Sequence, residues 1–258
     1  MPNTALITGA SSGIGTEFAR YHARKGGDLV IVARRHEPLE ALKEELEAAH
    51  GVSVTVIAQD VGTPEKATEL YKAVKAKGIE IDILINNAGF GGQGGFLDRD
   101  LAKDQAMIDL NVSALVTLSH HFGNDMKARG GGKMLQVSST ASFLPGPYQA
   151  VYYATKAFVT SFSQAIDQEL RKDGITSTAL CPGIVNTEFV ASAGLDGTGL
   201  ADQKGATPAS VAKCGYDAMM KGDLVAINEA RLTFALTWVM PLLPRRWVLK
   251  SVERVQTK

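Results

Sequence analysis

Residues 4–15 read Thr-Ala-Leu-Ile-Thr-Gly-Ala-Ser-Ser-Gly-Ile-Gly, an apolar run that breaks into a turn with three glycines. Helical spacing of apolar residues resumes at Phe18, Ala19 and Tyr21. A strand, a glycine turn and a helix in this order are typical of a dinucleotide-binding unit. Glycines let the backbone approach a pyrophosphate, and the helix N-terminus offers N–H donors and a positive dipole. A plain tight turn is the alternative, and the flanking pattern disfavours it.

The rest of the chain alternates apolar runs with helical patterns. After residues 4–8, further strands are predicted at residues 28–33, 52–58, 81–85, 133–138, 175–180 and 224–228. Helices are predicted between them, at about residues 38–50, 64–77, 101–127, 152–172 and 208–220. No linker divides the series. The pattern predicts a single α/β domain over residues 1–258, a Rossmann-type doubly wound parallel sheet of about seven strands flanked by helices.

Composition excludes several classes of protein. The 258 residues can bury one sizeable core, and Lys+Arg and Asp+Glu both number 27, so bulk charge suggests no nucleic-acid partner. Cys181 and Cys214 are too few for a disulfide scaffold, no metal-ligand spacing is present, and Cys181 is expected to pack as a small hydrophobe. The first predicted strand starts within a few residues of Met1, which leaves no room for a signal peptide. A cytoplasmic location without a metal is expected.

A second stretch, residues 137–156 (VSSTASFLPGPYQAVYYATK), carries the predicted chemistry. Tyr152 and Lys156 are four residues apart on a predicted helix and therefore share one face. Ser139 follows a strand end, where open α/β sheets place ligands. A hydroxyl, a phenol and an ammonium together can polarise a carbonyl and pass it a proton. We expect the ammonium to lower the pKa of the phenol from about 10.

The second predicted strand ends in Arg34 and Arg35. An acidic residue about twenty positions after the glycine turn would bind the ribose 2′-hydroxyl of NAD. Arg34 lies nineteen positions after Gly15, and its guanidinium suits a 2′-phosphate instead. NADP(H) is therefore favoured over NAD(H). Solvated arginines at a strand end, or ribose binding by Glu37, are the alternatives.

Together these motifs resemble those of the short-chain dehydrogenase/reductase (SDR) family. The matching features are Thr8-Gly9-x-x-x-Gly13-x-Gly15, Asn86-Asn87-Ala88-Gly89, Ser139 thirteen positions before Tyr152, Tyr152-x-x-x-Lys156, and the Pro182-Gly183 turn. The resemblance covers residues 4–190, whereas the last sixty or so residues match only loosely. It implies an oxidoreductase that transfers hydride between a nicotinamide cofactor and a carbonyl or alcohol.

The resemblance also implies roles for four catalytic residues. Ser139 would hydrogen-bond the carbonyl oxygen and Tyr152 would donate the proton. Lys156 would lower the pKa of Tyr152 and bind the nicotinamide ribose. Asn111, twenty-eight positions before Ser139, would support a water that relays protons. Rivals disfavoured by the family's spacing are Ser138 for the hydroxyl and Tyr148 and Tyr153 for the phenol.

By the same resemblance, Asp60 would bind the adenine ring, and Ile184 and Thr187 would lie near the nicotinamide carboxamide. The full set of expected cofactor contacts is Gly9, Ser11, Ser12, Gly13, Ile14, Gly15, Arg34, Arg35, Asp60, Val61, Asn87, Ala88, Gly89, Tyr152, Lys156, Pro182, Gly183, Ile184 and Thr187.

Residues 188–258 are expected to determine the substrate and the assembly. Residues 188–207 resemble the family's mobile substrate loop. Residues 232–249 are apolar, but Pro241 and Pro244 interrupt them, which excludes a membrane span. This segment could cap the substrate cleft, pack in the core or on a partner subunit, or contact a membrane surface. A hydrophobic ketone, aldehyde or alcohol is the expected substrate, and the family implies a homodimer or homotetramer.

Three other functions remain open. A non-catalytic NADP(H)-binding sensor or scaffold is disfavoured, because a binder has no need of the Ser, Tyr, Lys and Asn set. An epimerase or dehydratase of the extended relatives would need a further substrate domain, for which 258 residues leave no room. Enoyl reductases space their Tyr and Lys differently.

Overall fold

The computed structural model describes residues 3–201 and 203–257, and its centre is one seven-stranded sheet. The strands are β1 (Thr4–Thr8), β2 (Asp28–Ala33), β3 (Val54–Ala58), β4 (Ile83–Asn86), β5 (Gly132–Val137), β6 (Ile175–Leu180) and β7 (Val225–Ala226). Their order is β3-β2-β1-β4-β5-β6-β7, and each adjacent pair is parallel. This confirms the doubly wound, single-domain α/β fold.

Helices cover both faces of the sheet. They are α1 (Gly13–Arg24), α2 (His36–His50), α3 (Pro64–Ala76), α4 (Leu101–Ile108), α5 (Leu115–Arg129), α6 (Ala150–Leu170), α7 (Phe189–Ser192), α8 (Pro208–Lys221), α9 (Ala230–Phe234) and α10 (Arg245–Gln256). Helix ends follow local chemistry: the Thr63 side chain caps α3 by accepting from Lys66 N, and Pro64 occupies the first helical position.

Two hydrophobic layers sandwich the sheet. Neighbouring residues of a strand point to opposite faces, so Ile7 packs with α1, α2 and α8 residues, whereas Leu6 packs with residues of α3 and α5. Both side chains are fully buried. Burial on both faces is the reason that the strands read as continuous apolar runs.

The winding direction reverses between β1 and β4, which are neighbours in the sheet. In open α/β sheets a crevice forms at the carboxyl ends of the strands at such a reversal. The glycine turn follows β1 there, and Asn87 follows β4. The fold therefore brings the predicted cofactor motifs to one edge.

Two predicted elements are shorter or more divided than expected. The strand predicted at residues 224–228 is only Val225–Ala226. The long helix predicted from residue 101 is α4 and α5, joined by a π-helical segment, Asp109–Ala114, at the predicted interruption. π-Helical turns often mark functional sites.

The C-terminal apolar segment, residues 232–249, is largely exposed. It contains the end of α9, a π-helical segment (Ala235–Val239), a 3₁₀ turn (Met240–Leu242) and the start of α10. Leu236 and Val248 are buried, so core packing explains only part of the segment. The exposed apolar side chains are Phe234, Trp238, Val239, Leu242, Leu243 and Trp247. Across residues 3–201 and 203–257, no helix combines the length and apolar character that a membrane crossing requires.

Candidate active site

A cavity of about 950 Å³ follows the carboxyl ends of the strands. One end is lined by Arg34, Arg35 and Asp60, and the other by Ser139 and Tyr152. Every residue predicted to bind cofactor or act in catalysis lines this cavity except Gly15 and Asn111, which lie behind its wall. The fold therefore brings residues that are up to 178 positions apart, from Gly9 to Thr187, into one crevice.

The glycine turn is held against β4 by Asn87. Its side-chain amide donates to the carbonyl oxygens of Thr8 and Gly9, at 2.9 and 3.2 Å. A Cβ on Gly15 would lie 2.2 Å from Gly9 O and 2.6 Å from Asn87 Nδ2. Gly15 is therefore required by the packing of α1 against the turn, which is a structural reason for this glycine.

The first turn of α1 fits the pyrophosphate of a nicotinamide dinucleotide. Ser12 precedes the helix with extended backbone, and its side chain makes no capping hydrogen bond. The N–H groups that begin α1 thus lack a side-chain acceptor, and Gly13 and Ile14 line the cavity. Uncapped N–H groups with the helix dipole behind them bind anions.

The far end of the cavity carries paired charges. Arg35 donates from Nε to Ser11 Oγ and from its NH2 nitrogen to Ser11 O, both at 3.3 Å. The same NH2 nitrogen lies 3.2 Å from a carboxylate oxygen of Glu188. Asp60 pairs with Lys66 at 2.7 Å, and this hydrogen bond lowers the pKa of the Asp60 carboxyl. The predicted adenine-binding residue is therefore an ionised, partnered carboxylate.

Tyr152 and Ser139 lie together at the other end. Ser139 begins a 3₁₀ turn (Thr140–Phe143) after β5, and its Oγ accepts from Ala141 N at 3.1 Å. Burial raises the pKa of the Tyr152 phenol, and hydrogen bonding with the Ser139 side chain opposes that rise only in part. The phenol is therefore neutral and carries its proton at ordinary pH.

Lys156 is buried one turn after Tyr152. Its Nζ donates to Val137 O at 2.8 Å and lies 5.8 Å from the centre of the Tyr152 ring. Burial lowers the pKa of Lys156 to about 8. The expectation that Lys156 lowers the pKa of Tyr152 is wrong for this structure, because desolvation of the phenol dominates and the ammonium is directed at Val137.

Asn111 lies in the π-helical segment and is buried. Its Oδ1 accepts from Phe90 N at 3.1 Å, and its Nδ2 donates to Phe90 O at 3.0 Å and to Thr155 Oγ1 at 3.1 Å. A Cβ on Gly89 would lie 2.9 Å from Asn111 Oδ1 and 3.5 Å from Lys156 Nζ. The side chains of Asn111 and Lys156 therefore both approach Gly89. Asn111 also fixes Phe90, at the start of a glycine-rich loop, residues 90–96.

The rival residues are placed differently. Ser138 Oγ hydrogen-bonds Lys156 O at 2.9 Å and Thr160 Oγ1 at 2.7 Å, so its hydroxyl is used within the core. Tyr148 does not line the cavity. Tyr153 does, and its oxygen accepts from Gln256 Nε2 at 2.8 Å. Of the candidate serines and tyrosines, Ser139 and Tyr152 are the two whose side chains lie next to each other in the cavity.

Several residues that contact this machinery were not predicted from the sequence. Thr155 holds Asn111, Glu188 pairs with Arg35, Phe189 packs on the Tyr152 ring, and Gln149 and Gln256 are joined behind Tyr153. Of these residues, only Thr155 could have been predicted to lie at the site, since it stands between Tyr152 and Lys156 on the predicted helix. The pairing of Gln149 with Gln256, 107 positions away, has no local signature.

Comparison with known proteins agrees with this geometry. A family model described as short chain dehydrogenase matches residues 3–196. Serine 3-dehydrogenase of Agrobacterium fabrum is 36% identical over 192 residues, covering 73% of this chain and 74% of that protein. A short-chain dehydrogenase from Sphingobium yanoikuyae, solved in complex with NADPH, is 31% identical with a TM-score of 0.83, covering 95% of this chain and 97% of that one.

The match to a third relative covers only part of it. The probable oxidoreductase EphD of Mycobacterium tuberculosis is 32% identical over 199 residues, which is 77% of this chain but 33% of EphD. The chain thus spans about a third of that protein. The family match extends over most of the described chain and includes the glycine turn, Ser139, Tyr152 and Lys156. The chain belongs to the short-chain dehydrogenase family.

Proposed function

We propose that this protein is an NADP(H)-dependent oxidoreductase that reduces a largely hydrophobic ketone or aldehyde, or oxidises the corresponding alcohol. The observation that carries the proposal is the convergence of Ser139, Tyr152 and Lys156 at one end of a cavity whose other end is lined by Arg34 and Arg35. A non-catalytic NADP(H)-binding protein would have no use for that convergence.

Tyr152 is assigned as the proton donor in reduction. Burial keeps its phenol protonated, so a proton is available as negative charge develops on the substrate oxygen. Ser139 is assigned to hydrogen-bond the same oxygen, since its side chain lies beside the phenol and its hydroxyl donates only across a long 3.5 Å contact to Pro182 O, which a substrate oxygen would replace. A donor placed where charge develops lowers the barrier more than it stabilises the ground state. The nicotinamide, when bound, supplies or accepts the hydride.

Lys156 is assigned to bind the nicotinamide ribose. Its ammonium is charged below a pH of about 8 and is buried, where its field acts strongly. Asn111 is assigned to support the path by which protons return to Lys156. Its Oδ1 and the Lys156 ammonium both lie against Gly89, which supports that assignment.

The cofactor assignment rests on the charged end of the cavity. Arg34 and Arg35 are both exposed to it, and a 2′-phosphate would accept charge-assisted bonds from either guanidinium. The related structure from Sphingobium yanoikuyae is a complex with NADPH, which supports this choice. The remaining contacts are assigned as the family motifs imply, from the glycine turn through Asp60 and Val61 to Asn87–Gly89 and Pro182–Thr187.

The substrate end is mainly apolar, and this supports a hydrophobic substrate. Phe90, Phe189, Val190, Leu195 and Leu200 line the cavity around Tyr152. We assign residues 188–258 to substrate binding and assembly and residues 4–190 to cofactor binding and catalysis. Exposed apolar side chains on α4 and α6, including Leu101, Ile108 and Phe158, support a homodimer or homotetramer.

The test is reduction of a panel of aromatic and aliphatic ketones and aldehydes, with NADPH and NADH compared at equal concentration. Consumption of NADPH should match formation of the alcohol product for at least one hydrophobic carbonyl compound, with NADH much less effective. Tight NADPH binding with no turnover across the panel would instead favour the non-catalytic binder. Equal rates with NADH would remove the role assigned to the two arginines.

A further inference from the structure

The last residue of α10, Gln256, reaches the substrate end of the cavity from behind. It is fully buried, its Oε1 accepts from Gln149 Nε2 at 2.5 Å, and its Nε2 donates to the Tyr153 hydroxyl oxygen at 2.8 Å. Its backbone carbonyl accepts from Gln93 Nε2 at 3.1 Å. Gln256 thus joins the glycine-rich loop, the start of α6 and the end of the chain.

These bonds leave one acceptor and one donor without partners. Gln149 Oε1 is buried and makes no hydrogen bond within the described residues 3–201 and 203–257. The Tyr153 oxygen accepts from Gln256, so its own proton is still available for donation. A buried carbonyl oxygen left unpaired loses its hydrogen bonds to water without replacement, so a ligand that donates to it gains affinity.

Both side chains belong to the cavity wall beside Tyr152, and Gln149 Oε1 lies just beneath its surface, so a ligand reaches this oxygen when the Gln149 side chain turns outward. Gln149 and Tyr153 line the cavity, whereas Gln256 does not. The Tyr153 ring centre lies 6.2 Å from that of Tyr152, and Gln149 lies one helical turn before Tyr152. An amide oxygen and a phenolic O–H thus interrupt an otherwise apolar wall, next to the group assigned to give its proton to the substrate.

We propose that Gln149 and Tyr153 form a subsite for a hydroxyl group of the substrate, a few bonds from the reacting carbonyl, and that Gln256 positions both side chains. A hydroxyl group is at once donor and acceptor, so it matches Gln149 Oε1 and the Tyr153 O–H together. The inference rests on the proposed function and narrows its substrate class to mainly apolar hydroxyketones, or diols in the oxidative direction.

The experiment compares ketones that differ only by hydroxyl for methyl: 2-hydroxyacetophenone with propiophenone, and 3-hydroxypropiophenone with butyrophenone. The kcat and KM of each are measured with NADPH for the wild-type protein and for Gln149→Met, Tyr153→Phe and Gln256→Met. Gln93→Met is the matched control, because the Gln93 side chain bonds the backbone carbonyl of Gln256 and neither Gln149 nor Tyr153. For each protein, the kcat/KM of the hydroxyketone is divided by the kcat/KM of its methyl partner. Comparing this ratio between variants cancels the intrinsic difference in reactivity between the two ketones.

The wild-type protein should favour the hydroxyketone of at least one pair, and each of the three variants should reduce that preference roughly tenfold. The loss should appear as a higher KM for the hydroxyketone, while kcat for the methyl ketone stays within about twofold of the wild-type value. The hydroxyl preference of Gln93→Met should also stay within about twofold of the wild-type preference. Equal losses for both members of a pair would show that these residues are only structural. Absence of any hydroxyl preference in the wild-type protein would also overturn the subsite.

A binding measurement separates failure of the subsite from failure of the proposed function. NADPH-loaded Tyr152→Phe protein is titrated calorimetrically with each ketone, so that no turnover is needed. Tighter binding of the hydroxyketone, lost in Tyr152→Phe combined with Gln149→Met, supports the subsite even if the wild-type protein reduces none of the four ketones. Equal affinities within each pair would contradict the subsite whatever the activity.

Discussion

Lys156 directs its Nζ at the carbonyl oxygen of Val137, 2.8 Å away, and lies beside the Tyr152 ring at 5.8 Å from its centre. Burial acts on the two groups in opposite directions, lowering the pKa of Lys156 to about 8 and raising the pKa of Tyr152. In both cases the neutral form is favoured. A charged Lys156 at neutral pH is therefore held at a cost in stability.

That cost predicts how stability changes with pH. Between a pH of about 8 and the unfolded value of 10.5, the unfolded chain binds a proton at Lys156 that the folded chain does not. The free energy of unfolding should therefore rise with pH in this window, by about 2 to 3 kcal/mol from this residue. Urea unfolding at pH 7 and pH 10 gives the free energy of unfolding of the wild-type protein and of Lys156→Met. The difference between the two proteins should change by this amount between the two pH values. A difference that is the same at both pH values would contradict the shifted pKa.

Gly15 is predicted to be intolerant of a side chain for a reason that does not involve ligand. A Cβ there would lie 2.2 Å from Gly9 O, and relief requires α1 to move away from the turn. Gly15→Ala should lower the free energy of unfolding by about 3 kcal/mol even without cofactor. Gly199→Ala is the control, since its Cβ would meet nothing nearer than 3.6 Å. Similar small losses for both variants in urea unfolding would refute the packing argument.

Arg35 is predicted to exchange Glu188 for the 2′-phosphate of NADP(H). Arg35→Leu should weaken NADPH binding about tenfold and leave NADH binding unchanged, because only NADPH offers the charge-assisted contact. Glu188→Gln should tighten NADPH binding, since the 3.2 Å ion pair would no longer compete. Calorimetric titration with both cofactors provides the readout. Parallel weakening of NADPH and NADH by Arg35→Leu would assign Arg35 to the turn rather than to the phosphate.

Asn111 is predicted to stabilise the fold as well as the site. Its side chain satisfies both the N–H and the carbonyl of Phe90, so Asn111→Ala should cost about 2 to 3 kcal/mol in stability and also reduce turnover. Thr155→Val removes the 3.1 Å contact to Asn111 and the 2.7 Å bond from Thr155 Oγ1 to Tyr152 O, and should cost about 1 to 2 kcal/mol. Unfolding and activity are measured on both variants. If Asn111→Ala loses activity at unchanged stability, the structural role is wrong.

The sequence predicted the sheet and the cofactor edge because their signals are local. Apolar runs such as residues 4–8 are strands because both faces are buried, and the turns after β1 and β4 carry their own glycines and small polar residues. The Tyr152 and Lys156 pair is likewise local, since four positions on a helix bring them to one face. These features required no knowledge of distant contacts.

Contacts between distant segments could not be predicted. Nothing near Gln256 in sequence indicates that the end of α10 returns to Tyr153, because that depends on how residues 188–258 pack. The direction of the Tyr152 pKa shift has no local signature either, because burial of the phenol decides it and the nearby Lys156 charge does not. Burial is a property of the whole fold.

In the proposed NADP(H)-dependent reaction, Tyr152 passes a proton to a carbonyl substrate. The most direct test is Tyr152→Phe, compared with wild-type protein for NADPH oxidation on the most active ketone of the panel and for NADPH affinity. Removing one hydroxyl should lower kcat by about a thousandfold while the NADPH affinity stays within about threefold. Turnover near the wild-type rate in Tyr152→Phe would contradict the assignment.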